Sequence, residues 1–249
     1  MNKYSMSDSP IIIIGMGSSG TRLVVEILER CGIFMGGVLS QNEFKEPAIF
    51  FAGINAFTDA FRYLDPLPGD WKQTVESKAQ EVQRFVDEIL PKEYAAAGYT
   101  GGKWGFKDPR NTFVLPLYIR SFPNSRVIHV VRDGRDVALT KISENWPNLK
   151  ETHRLDRWFR VWENNISVAA AYKRDLSVNQ FIEIRYEDVC LHRSSAIDLL
   201  SKYLKIQSSV MTAAVKDLAH KKRLFKWRER CHEFDFAKDS ESLREYEYS

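Results

Sequence analysis

Two short clusters of residues carry the chemistry this sequence offers. The first is Gly15-Met16-Gly17-Ser18-Ser19-Gly20-Thr21-Arg22, directly after the apolar run Ile11–Ile14. Glycines let main-chain N–H groups approach an oxyanion, and a helix beginning near Gly20 would aim its positive end at the same point. The second is Arg132-Asp133-Gly134-Arg135-Asp136, directly after Val-Ile-His-Val-Val. Arg132 stands at the end of that run, Asp133 suits a helix N-cap, and seven residues separate Arg132 from Thr140. Surface pairing of Arg with Asp would explain the second cluster equally well.

Three ligands compete for the first loop. Read as GxxxxGK[ST], it carries Thr21 where the phosphate-binding lysine belongs and Arg22 where the magnesium-binding hydroxyl belongs. Triphosphate hydrolysis thereby loses two of its main electrostatic supports. Read as GxGxxG, it fits the dinucleotide fingerprint in letters, but no clear strand precedes Glu43, the acid at a plausible distance. The third ligand is the 5′-phosphate of a nucleotide that needs no metal.

Both clusters require strand-to-helix turns, and the pattern supplies them. Ile11–Ile14 and Val127–Val131 read as strands buried on both faces, and Phe181–Tyr186 as a third. Leu23, Val24, Ile27 and Leu28 recur at helical spacing until Cys31-Gly32. Val75, Ala79, Val82, Phe85, Val86, Ile89 and Leu90 predict an amphipathic helix closed by Pro91. Further helices are expected after Arg135 and over 154–174, 194–204 and 208–218, while 39–71 is irregular and rich in aromatic residues. Strands alternating with helices imply an α/β fold with a central parallel sheet flanked by helices. In such sheets ligands bind at the carboxyl ends of the strands, where both clusters lie.

Composition sets the outer bounds. The chain has 249 residues, 44% hydrophobic, 12% aromatic and 28% charged, which excludes a disordered, collagen-like or disulfide-framework protein. A chain of this length buries roughly 70–75% of its unfolded surface, enough for one core without staples. Lys+Arg 36 against Asp+Glu 33 gives +3, too balanced for a general nucleic-acid binder. The charge is uneven, however: residues 221–230 hold six bases and one acid, the last 17 six acids and two bases. Cys31, Cys190 and Cys231 are widely spaced and suggest neither disulfides nor zinc. The first ten residues lack a signal-peptide core, and no apolar run approaches the roughly 20 residues a bilayer span needs. A single cytoplasmic domain over 1–249, with reduced thiols and no membrane span, is the expectation, its 233–249 segment an acidic tail.

The two clusters in this order resemble the sulfotransferase superfamily, whose fold is P-loop-like. "FKDPR" at Phe106–Arg110 is similar to the KDP segment of tyrosylprotein and related bacterial sulfotransferases, and "IRYEDV" at Ile184–Val189 to the family's YED strand end. "LFKWRERC" at Leu224–Cys231 resembles the segment that closes over the nucleotide. The pieces span about residues 11 to 231 in family order. The resemblance implies a PAPS-dependent enzyme. It would transfer a sulfuryl group from 3′-phosphoadenosine 5′-phosphosulfate (PAPS) to a hydroxyl acceptor, without metal, and release adenosine 3′,5′-bisphosphate. A kinase-like nucleotide-dependent phosphotransferase and a non-catalytic nucleotide-binding protein are the alternatives.

By position, the resemblance assigns the 5′ side of the nucleotide to Gly17, Ser18, Ser19, Gly20, Thr21 and Arg22, and the 3′ side to Arg132 and Thr140, with Tyr186 touching the cofactor. Many relatives carry Arg or Lys where this chain has Ser18, and Arg22 is the candidate replacement. Lys107 is the expected catalytic cation near the bridging oxygen; an ordinary surface lysine before an Asp-Pro turn is the bland alternative. Glu46, ahead of Phe50-Phe51, is the expected general base, with Glu43 its rival. His129, inside a buried strand, is expected to be a satisfied core residue. The aromatic residues from Phe44 to Trp71 would line an acceptor pocket or pack a helical insertion over 39–100. The basic run from Lys221 is either a nucleotide clamp or a solvated face. A sugar, lipid, phenol, peptide or small natural product all remain open as acceptor.

Overall fold

In the computed structural model of the chain the described residues are 7, 9–36, 39–40, 43–44, 66, 68–143, 154–216, 218 and 223–248, with only the main chain described at 39–40 and 43–44. Their elements run β1 (Ile11–Ile14), α1 (Thr21–Arg30), β2 (Leu39–Ser40), β3 (Glu43–Phe44), α2 (Trp71–Glu76), α3 (Ala79–Arg84), a wide π-helical turn Phe85–Ile89 and α4 (Leu90–Ala96). Next come β4 (Gly105–Lys107), α5 (Asn111–Ser121), β5 (Arg126–Val131), α6 (Gly134–Ser143), α7 (Leu155–Asp175) and β6 (Phe181–Arg185). Short α8 (Tyr186–Cys190), α9 (Ser194–Leu204), α10 (Ser208–Lys216), a 3₁₀ segment Lys226–Ala237 and α11 (Glu241–Glu245) complete the order.

β1, β4, β5 and β6 form one parallel sheet in the order β4-β1-β5-β6, so the first strand is central. Every residue of β1 is buried, which is why the run is β-branched throughout rather than alternating. Ile11 and Ile13 face one side with Ile128, Val130 and Ile184, where α1, α9 and α10 pack. Ile12 and Ile14 face the other with Phe106, Val127 and Phe181, against α2–α4 and α5. Each such side chain contributes about 1.5–3 kcal/mol by leaving water. The result is the expected α/β/α layering. A third cluster joins α6 and α7 to residues 234–248.

Three element boundaries differ from the sequence reading. The helix expected to stop at Pro91 is interrupted earlier, by the wide turn at Phe85–Ile89, and Pro91 lies in the first turn of α4. A first-turn N–H has no helical partner to lose, so proline is tolerated there. The third strand ends at Arg185, and Tyr186 opens a helix instead. The segment expected to be an acidic tail buries Phe234, Ala237, Leu243, Tyr246 and Tyr248 against α7, and its exposed residues are Phe236, Lys238 and Arg244 as well as acids. Among the described residues no helix is long and apolar enough to cross a membrane.

Candidate functional site

The glycine loop leaves β1 at the centre of the sheet, so the exits of β4 and β5 flank it. Lys107 is the last residue of β4 and pairs in register with Ile13. The alternation of the strand puts it on the same sheet face as Ile13, the side covered by α1. The residue after β5 is Arg132. Two cations therefore stand one strand to either side of the loop.

Local chemistry holds the loop in shape. Gly15 adopts φ +135°, and a Cβ there would lie 2.6 Å from the Val130 carbonyl oxygen. Its N–H donates to Thr112 Oγ1 at 3.2 Å, while the Asn111 amide donates to the Ile13 carbonyl at 3.2 Å. Ser18 takes φ +77°, and the Ser19 N–H turns back to the Met16 carbonyl. Gly20 caps α1 in the left-handed region, with no side-chain cap and no acid in the first turn. The positive end of α1 is thus left for an outside acceptor.

Arg132 joins the two turns. Its guanidinium donates to the Ser18 carbonyl at 3.0 Å and to the Arg223 carbonyl at 2.7 Å, and lies 5.0 Å from the centre of the Tyr186 ring. It is 5% exposed, and its Nε has no hydrogen-bond partner. Asp136 Oδ2 is 3.6 Å away. Burial raises the Asp136 pKa, opposed by the Trp227 N–H at 2.9 Å and by the Arg132 charge. Tyr186 packs its ring on Gly20, and burial raises its phenol well above the ordinary value.

The turns after β4 and β5 are built alike. Asp108 Oδ1 accepts the Arg110 main-chain N–H and Nε at 2.7 and 2.6 Å, and Oδ2 accepts the guanidinium at 2.7 Å. Asp133 Oδ1 accepts the Arg135 N–H and Nε, each at 2.9 Å, and Oδ2 accepts its guanidinium at 2.8 Å. Asp133 is thereby the expected N-cap of α6. Each aspartate and the arginine two residues on are buried and satisfy each other, which leaves the preceding base, Lys107 or Arg132, at the strand exit.

A sulfotransferase family model matches residues 10–209. The chain belongs to the sulfotransferase family. It is also 23% identical over 241 residues to an uncharacterized protein of Aquifex aeolicus (strain VF5), covering 89% of this chain and 31% of that protein; the chain therefore spans about a third of that relative's length. Among solved structures, the sulfotransferase domain of the curacin biosynthetic pathway superposes with TM-score 0.52 at 17% identity, covering 82% of this chain and 76% of that one. The sulfotransferase domain of the Synechococcus PCC 7002 olefin synthase gives 0.53 at 13%, covering 91% and 90%. Sulfotransferase STF9 from Mycobacterium avium gives 0.51 at 13%, covering 93% and 76%. These three share the fold of this sulfotransferase-family chain.

The structure brings together Gly17, Ser18, Ser19, Gly20, Thr21, Arg132 and Tyr186, with Lys107 at the neighbouring strand end. Thr140 lies two turns into α6 and donates its hydroxyl to the Asp136 carbonyl at 2.8 Å. Arg22 is exposed on the first turn of α1. Glu46 and most of the aromatic stretch, from 45 to 63, lie outside the described residues, as do the Glu43 side chain, Lys221 and Lys222. Trp71, from the same stretch, meets Phe113 edge-on at 6.0 Å and lines a groove of about 540 Å³ with Tyr172, apart from Lys107. His129 is a core residue, its Nδ1 2.8 Å from Glu183 Oε2. The 223–230 segment meets the second turn through its main chain at Arg223 and Trp227 and through the Trp227 ring, 3.4 Å from the Arg135 guanidinium; Lys226, Arg228 and Arg230 are exposed or half-exposed.

Sequence reasoning missed Asn111 and Thr112, which tie α5 to the exit of β1, and Glu187, which accepts the Asp133 N–H at 3.1 Å. The signal available was repetition: a base, then Asp-x-Arg, at the ends of β4 and β5.

Proposed function

We propose that this chain transfers the sulfuryl group of PAPS to a hydroxyl acceptor and releases adenosine 3′,5′-bisphosphate. The observation that carries this reading is Arg132: nearly buried, bonded to the glycine loop at Ser18, with its Nε–H unpaired. Its present acceptors are neutral carbonyls, and a phosphate dianion is a stronger partner for a guanidinium than either. The donor residues fit an anion at both ends of the nucleotide. The first turn of α1 and the loop amides suit the 5′ side, and Arg132, with Thr140 once its hydroxyl turns from Asp136, suits the 3′ side. Tyr186, between Gly20 and Arg132, would border the nucleotide.

When bound, PAPS supplies the activated sulfuryl group; the bond from sulfur to the bridging oxygen breaks as the acceptor oxygen bonds to sulfur. Lys107 would stabilise the charge that grows on the bridging oxygen, as a preorganised donor does best where charge develops. Glu46, with Glu43 as rival, would take the acceptor's proton. Arg22 would supplement the charge that Ser18 lacks. A sulfuryl group carries less charge than a terminal phosphoryl group, which suits a site without the Walker lysine and metal-binding hydroxyl. The partner is a hydroxyl-bearing acceptor rather than nucleic acid, and a cytoplasmic setting suits three separated thiols.

The test is thermal stabilisation without magnesium. Adenosine 3′,5′-bisphosphate should raise the melting temperature more than AMP at equal concentration. Equal shifts would remove the role of Arg132 and Thr140. Turnover of magnesium-ATP would favour a phosphotransferase instead, and bisphosphate binding with no transfer across a broad acceptor panel a non-catalytic binder.

A further inference from the structure

Tyr248 lies far in sequence from the loops just described, yet it is fastened to the turn that carries Arg132 at two points. Its hydroxyl donates to Glu187 Oε2 at 2.7 Å, and the other oxygen of that carboxylate accepts the Asp133 main-chain N–H at 3.1 Å. Its carbonyl accepts the Arg135 guanidinium at 2.6 Å. Tyr248 and Glu187 are 3% and 1% exposed, so these bonds are shielded from water. The Arg185 guanidinium lies 4.6 Å from the centre of the Tyr248 ring, fixing it from β6. The β5–β6 ladder already fixes the spacing of the two strand exits, and Tyr248 braces Glu187 against the peptide that follows Arg132.

We propose that Tyr248 is a positioning residue for the 3′-phosphate end of the nucleotide site, acting through Glu187 on the Arg132–Asp133 peptide. This rests on the reading that the site holds a 3′,5′-bisphosphate nucleotide. Without the Tyr248 O–H, one buried carboxylate oxygen loses its donor. The carboxylate is then free to shift, and the Asp133 N–H and the Arg132 guanidinium shift with it. A misaligned guanidinium loses its directional bonds to the 3′-phosphate but leaves the Gly15–Arg22 loop untouched.

Tyr248→Phe keeps the ring and its packing and removes only the hydroxyl. Dissociation constants for adenosine 3′,5′-bisphosphate and for AMP are measured by calorimetry on the full chain, wild type beside variant. The expected result is a loss of about tenfold for the bisphosphate, equivalent to about 1.4 kcal/mol, with AMP unchanged within about twofold. With PAPS as substrate, KM should rise while kcat holds. Glu187→Gln, a second variant of the same size, should show the same selective loss, and the double variant should be no worse than the weaker single. Equal weakening for both nucleotides, no weakening, or additive losses in the double variant would overturn the role of Tyr248. A wild type that binds the two nucleotides equally would instead overturn the proposed function, and that control is read first.

Discussion

Gly20→Ala tests the packing of the phosphate-type loop most directly. Gly20 sits at φ +88°, ψ +11°, and a Cβ built there would meet the Tyr186 ring at 2.0, 2.5 and 2.8 Å. Two costs follow. An L-residue in the left-handed region costs about 1–2 kcal/mol. Overpacking a fixed neighbour costs about 1–3 kcal/mol more, and Tyr186 is poorly placed to yield because it is 4% exposed with Arg132 beside its ring. The sum is about 2–5 kcal/mol, which for a domain of this size lowers the melting temperature by about 4–20 °C.

Calorimetric melting of Gly20→Ala in the wild-type and Tyr186→Ala backgrounds separates the two costs. Removing the ring should reduce the penalty of Gly20→Ala to the backbone part alone, about 1–2 kcal/mol. The same penalty in both backgrounds would refute the ring contact. A Gly20→Ala variant melting within a degree of wild type would refute the conformational argument as well.

Lys107→Ala should lower kcat by about 10²–10³ while the bisphosphate dissociation constant stays within about twofold, read by single-turnover kinetics and calorimetry. Arg132→Lys, which keeps the charge but loses the planar fork, should weaken the bisphosphate about tenfold or more with little change for AMP. Turnover should persist in excess EDTA, because Thr21 and Arg22 stand where a metal-assisted loop would carry its lysine and hydroxyl. Burial raises the pKa of Glu183, but bonds from His129, Lys173 and Tyr246 outweigh it and hold the group at about 2. Its folded value lies below the ordinary carboxylate value of about 4.3, so its stabilisation is full above that pH and is lost as pH falls toward about 2. Denaturant midpoints from pH 5 down to 2 should fall more steeply for wild type than for Glu183→Gln; parallel curves would remove the assignment.

The layered frame was legible because strands buried on both faces leave an unmistakable trace. Ile11–Ile14 and Val127–Val131 are short, apolar and β-branched, and each ends in a turn of glycine and charge. β4 was invisible for the same physical reason inverted. It has three residues, one a glycine packed so close that a Cβ would sit 2.3 Å from the Ile11 carbonyl oxygen, and another the half-buried Lys107. Its pairing with β1 is a property of the sheet and not of the segment. The 234–248 stretch shows what a count of charges leaves out. Among its acids stand Phe234, Leu243, Tyr246 and Tyr248, which pack against α7.

The recurrence of Asp-x-Arg explains which cations the site can spend. Lys107, Arg110, Arg132 and Arg135 stand at the exits of β4 and β5, the strands on either side of β1, and four like charges there would repel one another if none were compensated. Asp108 and Asp133 each bind the arginine two residues on through three bonds of 2.6–2.9 Å, in a desolvated setting where a lone carboxylate or guanidinium would be costly. Arg110 and Arg135 are thereby committed to shaping the turns. Pairing them internally also orients the preceding peptide, so that a base follows the last strand residue of β5 and closes β4. The position before each Asp-x-Arg is therefore where a base stands at the carboxyl edge of the sheet while the aspartate of its turn is bound to the arginine two residues on. For Arg132 the nearest carboxylate oxygen is Asp136 Oδ2 at 3.6 Å, and its close partners are main-chain carbonyls. Two turns of one design thus deliver one cation each, on opposite sides of a loop whose own sequence carries none before Arg22.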